Sequence, residues 1–399
     1  MQIKKIISIL FSCVVLPSVY SNDKSLQVLD EVHEQLSKYY YDQKIISEKW
    51  PSIYNECRIK CLDAANSQKG FKVIKKALEK LKVSHLHLLT PYDKKELEWM
   101  EPMTFSSSGE HYFKINTNGQ EWLLSDDKSN PSYMGYEVLE VNGNPLKGLE
   151  HNLSDWSKLK RYMDSYESID LKLKKPNKKR AIEIVRTKIS HNILKRSIGF
   201  IDYKDRLDYQ LINEVLVLRV EIFTISVIQK AKKLIQNNRN TKGIVLDLRD
   251  NPGGMGMLAC ALALEFAKED FSLGSQKGGD LEMNYVVVKQ ARYYDRKVAV
   301  IINRNSASTS EILARGLQVQ KRARLFGERT AGMALPSVIK KLSYDCVFQY
   351  PIGDFLDESG ELLEGKGVEP DETVSYSQEM LLSGIDAQLK AALNWIRSH

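Results

Sequence analysis

From residue 24 to about residue 100, apolar side chains return every three or four positions: Leu26, Leu29, Val32 and Leu36, then Val73, Ile74, Leu78 and Leu81. That period predicts helices with one buried stripe. A charged stretch from Asp93 to Glu101 ends at Pro102 and marks a boundary. From Phe105 to about Ser190 the pattern changes to alternation, as in Tyr112-Phe113-Lys114-Ile115, Trp122-Leu123-Leu124 and Tyr136-Glu137-Val138-Leu139-Glu140-Val141. Turn signals such as Asn118-Gly119 and Asn142-Gly143-Asn144-Pro145 separate these runs. They predict a small β-rich module with one helical stretch near Trp156 to Met163. From Ile193 onward the order becomes strand, helix, strand, helix. Val215–Leu218, Gly243–Leu248 and Val298–Ile302 read as strands; Val227–Gln236, Met257–Ala267 and Ser310–Gln318 read as helices. That order predicts parallel strands joined by helical crossovers. The expected organisation is an N-terminal segment 1–21, a helical domain 22–104, a β-rich domain 105–192 and an α/β core 193–399.

The segment 1–21 has the marks of an export signal. Lys4 and Lys5 precede an apolar run from Ile6 to Leu16, and Ser18-Val19-Tyr20-Ser21 supplies a cleavage site after Ser21. The run is too short for a comfortable membrane span. Cys13 offers a weaker, lipid-anchored alternative. The predicted location is periplasmic or extracellular. No other segment approaches membrane-spanning length.

The chain of 399 residues carries a net charge of +7, or +5 without Lys4 and Lys5. Its densest basic patch, Lys172, Lys174, Lys175, Lys178, Lys179 and Arg180, lacks aromatic interleaving and reads as a solvated strand edge, so nucleic acid is not an expected partner. Four cysteines remain after Cys13: Cys57, Cys61, Cys260 and Cys346. Cys57 and Cys61 lie one helical turn apart, a spacing that disfavours a disulfide and lacks the further ligands a metal would need. Cys260 reads as core. No cofactor or metal is called for.

Two glycine- and serine-bearing turns carry the candidate chemistry. Asp247-Leu248-Arg249-Asp250-Asn251-Pro252-Gly253-Gly254 follows one predicted strand, and Asn305-Ser306-Ala307-Ser308-Thr309-Ser310-Glu311 follows another. A sharp strand-to-helix turn lifts a hydroxyl to a helix N-terminus, where N–H groups and the helix dipole face developing negative charge. Two such turns on adjacent parallel strands would share one pocket.

Both turns resemble those of the C-terminal-processing and tricorn-core serine peptidases. Asp247–Gly254 is similar to that family's Asp-Leu-Arg-x-Asn-Pro-Gly-Gly turn and Asn305–Glu311 to its nucleophile turn. Gly327-Glu328-Arg329-Thr330-Ala331-Gly332 and Glu364-Gly365-Lys366-Gly367-Val368-Glu369-Pro370-Asp371 resemble two further segments in the family's order. Tyr136–Leu146 resembles the strand-and-turn signature of a PDZ domain, although a carboxylate-binding Gly-Leu-Gly-Phe type loop is not recognisable. The resemblance spans residues 70–375. It implies a crotonase-like α/β core, Ser308 as nucleophile, and an oxyanion hole made by the N–H of Thr309 with that of Gly253 or Gly254.

The family's dyad lysine falls on Met333, which cannot accept a proton; Lys340 and Lys341 lie beyond it. The tricorn-like branch instead takes a histidine from its N-terminal region, and its Ser-His pair aligns with Ser84 and His85 in Val83-Ser84-His85-Leu86-His87-Leu88-Leu89. Histidine suits a proton transfer near neutrality. Alternation with Leu86 and Leu88 predicts that His85 and His87 share one strand face. The alignment favours His85 as base, with His87 as the alternative. Glu364, in the closing segment, is the candidate for orienting the base, and Ser84 a supporting contact. Thr330 and Glu328 are expected to shape their turn.

The expected function is an exported serine endopeptidase acting through an acyl-enzyme. Its substrate is a polypeptide, captured as an added strand by the PDZ-like module. The alternative is a catalytically silent peptide- or lipid-binding protein on the same fold. Family members often pair through their helical N-terminal parts, which makes a homo-oligomer part of the expectation.

Overall fold

The computed structural model describes residues 23–93, 113–117, 121–127, 133–149, 159, 168–176, 182–188, 195–198, 201–204, 207–279, 281–375 and 377–398. The expected signal at 1–21 with Cys13, the charged boundary at 94–102 and most of the stretch from Trp156 to Met163 lie outside these residues.

Helices α1 (Asp23–Tyr39) and α3 (Ser67–Glu79) carry the two apolar repeats of three-to-four spacing, and α2 (Gln43–Leu62) lies between them. Asp42 caps α2 through the Ile45 N–H, and Asn66 caps α3 through the Lys69 N–H, satisfying donors that a helix start leaves open. Their buried stripe, Val28, Leu29, Val32, Leu36, Trp50, Phe71 and Ile74, shares one apolar cluster with Leu342, Cys346, Phe348 and Tyr350 from the far end of the chain. Cys57 and Cys61 are buried thiols within it, not a disulfide. The chain then enters the short strand β1 (His87–Leu89).

The β-rich module contributes β2 (Phe113–Thr117), β3 (Trp122–Asp127), β4 (Glu137–Val141), β5 (Asn144–Pro145), β6 (Ser168–Lys174) and β7 (Ile182–Lys188). Five of these form a sheet in the order β2-β3-β4-β6-β7, with β5 paired to β4. Alternation puts Val138, Val141, Ile169, Leu171 and Leu173 inside. The outward Lys172 and Lys174 pair with Glu140 and Glu137, which accounts for part of the basic patch as a strand surface. A hairpin of β8 (Lys195–Ile198) and β9 (Ile201–Lys204) follows.

The core sheet has the order β10-β11-β12-β15-β16-β20. Its strands are β10 (Leu207–Ile212), β11 (Val215–Val220), β12 (Gly243–Asp247), β15 (Lys297–Ile302), β16 (Arg324–Gly327) and β20 (Glu372–Thr373). β10 is antiparallel to β11, and the rest run parallel. Between β12 and β15 the hairpin β13 (Phe271–Gly278) and β14 (Leu281–Val287) leaves the sheet. Alternate core residues explain the unbroken apolar runs. Leu216, Leu218, Ile244, Leu246, Val298 and Val300 pack with α4 (Ile225–Asn237), α5 (Met257–Ala263) and α6 (Thr309–Val319). On the other face Val215, Val217, Val245, Ala299 and Ile301 pack with Ala392, Leu393 and Ile396. These last residues belong to α8 (Ala387–Arg397), which follows the short α7 (Gln378–Leu382).

A second hairpin, β17 (Ser337–Lys341) and β18 (Val347–Pro351), takes β1 as its third strand, and β19 (Asp354–Leu356) joins β13. β1 is thereby carried into the C-terminal half of the molecule. No helix among the described residues is long and apolar enough to cross a membrane.

Candidate active site

β12 and β15 are neighbouring parallel strands, so the turns that leave them lie side by side at the C-terminal edge of the sheet, where open α/β sheets form their crevices. Hydrogen bonds stitch the two turns together. The Leu248 N–H donates to Ile301 at 2.9 Å, the Ala307 N–H to the Asn251 carbonyl at 2.9 Å, and the Ser306 and Ser310 hydroxyls to the carbonyls of Leu248 and Asn251 at 2.8 and 3.1 Å. The amides of Asn303 and Asn305 both donate to Asp250 Oδ1, at 2.8 and 3.0 Å. The serines beside Ser308 are therefore consumed in building the turn.

Ser308 is different. From Asn305 to Ala314 it is the one residue not buried. Its backbone, at φ 55° and ψ −120°, is a conformation that L residues rarely adopt, and it stands at the N-cap of α6. Such strain costs about 1–3 kcal/mol and persists only where the surroundings impose it. Gly253 is the nearest part of the other turn: a Cβ there would lie 2.7 Å from Ser308 Cβ and 2.9 Å from the Thr309 nitrogen. Gly253 sits at φ +104°, and its N–H already donates to Asn251 Oδ1 at 2.8 Å. The N–H groups of Gly254 and Thr309 donate to no group among the described residues. The Thr309 hydroxyl donates to the Gly254 carbonyl at 3.1 Å, which ties these two peptides together. Of the two glycines the sequence left open, Gly254 is the one with an N–H to offer.

The chain from Thr330 to Ala334 threads past this turn. Ala331 donates to the Ser306 carbonyl at 3.0 Å, and the Ser308 N–H donates to the Met333 carbonyl at 2.9 Å. Met333, which the sequence resemblance sets against a dyad lysine, packs its side chain with Ala307 and Ala331 against the β-rich module's core. Lys340 donates to Gln35 Oε1 and Lys341 pairs with Asp345, so both are committed elsewhere.

The early histidine reaches the same strip of chain from the other side. The Ala334 N–H donates to Glu364 Oε2 at 2.8 Å, and the Ser84 hydroxyl donates to that oxygen at 3.0 Å. Ser84 Oγ lies 2.8 Å from His85 Nδ1. A hydroxyl has one proton, and a carboxylate only accepts, so Ser84 gives its proton to Glu364 and accepts from Nδ1–H. That tautomer leaves Nε2 with a free lone pair. Glu364 thus reaches His85 through Ser84. Burial pushes His85 down to about 4, and the neighbouring His87 adds to the shift.

The expectation that His85 and His87 share a strand face is not met. His85 precedes β1 at φ 55°, which rotates it out of the strand's alternation. His87 opens the strand opposite Gln349 and is exposed.

One group went unassigned from sequence. Glu311, fully buried, receives Thr330 Oγ1 (2.5 Å) and the Gly332 N–H (2.8 Å) on Oε1, and the N–H groups of Met333 and Ser308 (3.0 Å each) on Oε2. Burial raises its carboxyl to about 7 against the lowering effect of these donors. Its spacing of three from Ser308, that of a capping box, was the available signal. Arg249, to which the sequence pattern assigns no role, pairs with Asp247 and takes both oxygens of Asp386, at 3.0 and 2.8 Å, fastening the glycine turn to the start of α8.

Residues 214–374 match the model of Peptidase family S41. A probable CtpA-like serine protease of Staphylococcus epidermidis is 29% identical over 185 residues, 45% of this chain and 37% of that protein. One of Staphylococcus aureus is 26% identical over 254 residues, 62% of this chain and 48% of that protein. The chain thus spans half or less of the length of these curated relatives. Among solved structures, the photosystem II D1 C-terminal processing protease superposes with a TM-score of 0.59 at 16% identity, covering 91% of this chain and 98% of that one. Mature CPAF complexed with lactacystin superposes with a TM-score of 0.63 at 14% identity, covering 95% and 99%. The tricorn protease gives 0.54 at 15%, covering 94% of this chain and 37% of that one. These superpositions speak for a shared mixed α/β fold, while the sequence matches give residues 214–374 the likeness of a peptidase family S41 domain and CtpA-like serine proteases as homologues.

Proposed function

We propose that this chain is an exported serine endopeptidase whose nucleophile is Ser308 and whose base is His85. The observation that carries the reading is the bonded path from His85 through Ser84, Glu364 and Ala334 to Met333, whose carbonyl holds Ser308. In this mechanism Ser308 Oγ attacks a peptide carbonyl while His85 Nε2 takes its proton. The new oxyanion faces the Gly254 and Thr309 N–H groups at the start of α6, where the helix dipole adds to them. His85 then returns the proton to the departing amine, leaving an ester on Ser308. Water, deprotonated by the same Nε2, hydrolyses the ester. A histidine held neutral by burial is ready as a base without first losing a proton. Glu364 acts through Ser84 to keep the productive tautomer.

On this reading the core is crotonase-like, and the module of β2 to β7 is PDZ-like and captures an extended polypeptide. The domain limits proposed from sequence, 22–104, 105–192 and 193–399, go with it, as does a signal at 1–21.

A fluorophosphonate probe tests the proposal. The native chain is expected to label at Ser308 and to cleave an unfolded protein. Ser308→Ala should lose both with its melting temperature unchanged, and His85→Ala should slow both by about 10²–10⁴-fold. Labelling that survives Ser308→Ala, or no labelling of the native chain, would overturn it. Tight retention of a peptide or lipid without labelling would instead favour a silent binding protein.

A further inference from the structure

Glu311 is a buried carboxylate held by neutral hydrogen-bond donors. Its two oxygens take four donors, three of them peptide N–H groups and one the Thr330 hydroxyl. Those donors come from two separate pieces of chain. Ser308 belongs to the nucleophile turn; Thr330, Gly332 and Met333 belong to the strip that also carries Ala334, the anchor of Glu364. One oxygen, Oε2, accepts from Ser308 and Met333 together. Sliding either piece past the other breaks a bond to a buried charge. We propose that, within the peptidase reading on which this inference rests, Glu311 is a positioning residue that fixes Ser308 in its strained conformation and sets its distance from the His85 chain.

The chemistry of the four donors singles out a carboxylate. A glutamine has one acceptor oxygen, and its NH2 would face two donors. An apolar residue would leave the Thr330, Gly332 and Met333 donors buried without this acceptor, and the Ser308 N–H with the Met333 carbonyl alone. The charged form is the one that serves, and α6 favours it with its N-terminus. Charged groups on the surrounding elements have other commitments: Arg315 of α6 pairs with Asp357, Arg324 of β16 with Glu372, Lys277 of β13 with Glu282, and Arg304 of the turn with Glu328. α5 offers only the Cys260 thiol, and the closing segment offers Glu364, which is bonded to Ser84 and Ala334. Protonation of Glu311 would remove one acceptor site and loosen the turn.

The test is the fluorophosphonate labelling rate of the full chain from pH 5 to 9, with kcat and KM on an unfolded protein. The native rate is expected to fall as pH drops through about 7, where Glu311 protonates, well above the value of about 4 to which His85 is lowered. Glu311→Gln should lower the labelling rate and kcat by about 10²-fold, the typical cost of a 1 Å misplacement. KM should hold, and the fall near pH 7 should vanish. Thr330→Val removes a donor that favours the charged form, so it should move the fall to higher pH; a packing role alone would leave it in place. Native labelling that is unaffected in rate and pH profile by Glu311→Gln overturns the inference while the peptidase reading stands. If Glu311→Gln does not fold, an unmoved profile in Thr330→Val overturns it. No labelling of the native chain overturns the peptidase reading and this inference with it.

Discussion

Ser308 stands at the end of a strand buried on both faces, in a turn stitched to its neighbour by bonds such as Ser306 to Leu248, 58 residues apart. His85 stands just before a three-residue strand at the rim of a hairpin, and Ser84 meets Glu364 across 280 residues. Each sits at φ 55°. On the side of the proposed nucleophile that strain is held by backbone and side-chain bonds between two neighbouring turns at one sheet edge. On the side of the proposed base the bonds run through Ser84 and Glu364. The comparison teaches that one half of the site is part of the core's folding, while the other half is docked onto it by a few polar contacts. Substitutions that disturb the backbone or packing of the first half should cost both rate and stability; on the second they should cost rate with little stability.

Gly253→Ala strikes the first half. A Cβ would lie 2.7 Å from Ser308 Cβ and 3.0 Å from the Ala307 carbonyl, on backbone at φ +104° that disfavours any side chain. We expect labelling of Ser308 to fall by about 10²-fold, the typical cost of a 1 Å misplacement, together with a clear drop in melting temperature. Ser84→Ala strikes the second half. It frees His85 Nδ1 from its oriented partner and should slow labelling by less than His85→Ala does, with the melting temperature close to native. Measuring both rate and melting curve for each variant checks the pair. A Gly253→Ala chain as stable as native, or a Ser84→Ala chain that unfolds early, would erase the contrast.

The same contrast governs what could be read from the chain. The nucleophile side was legible because its determinants are local: an apolar run of strand length, small residues, then helical spacing from Ile312 onward. Pairing of the two turns followed from parallel order alone. The side of the proposed base is legible only through the family likeness, and alternation does not give its face because the positive φ of His85 breaks the pattern. Glu311 escaped notice since its importance depends on burial and on where residues 330–333 pass, neither of which spacing encodes. The packing of α1–α3 against β17 and β18 is a contact between the two ends of the chain, and apolar periodicity names a buried face without naming what covers it.

The smallest effect is the most discriminating, because the two halves titrate in opposite senses. Glu311 is raised from 4.5 to about 7. Between those values the folded chain holds a proton that the unfolded chain has released, so this group's contribution makes the protein more stable as pH falls. His85 is lowered from 6.5 to about 4. Across that window the unfolded chain binds the proton and the folded one does not, so this contribution is lost as pH falls. From about pH 6.5 to 4.5 the two slopes oppose each other and largely cancel in the native chain. Removing one should expose the other. The melting temperature of Glu311→Gln should fall on acidification from pH 7 to 5 relative to native, and that of His85→Ala should rise relative to native. With about 2–4 °C for each kcal/mol in a domain of 150–250 residues, the differences are within reach of calorimetry. Parallel melting-temperature profiles for native and both variants would mean that neither group changes its proton affinity on folding, and the division into a core-built nucleophile and a docked base would lose its electrostatic signature.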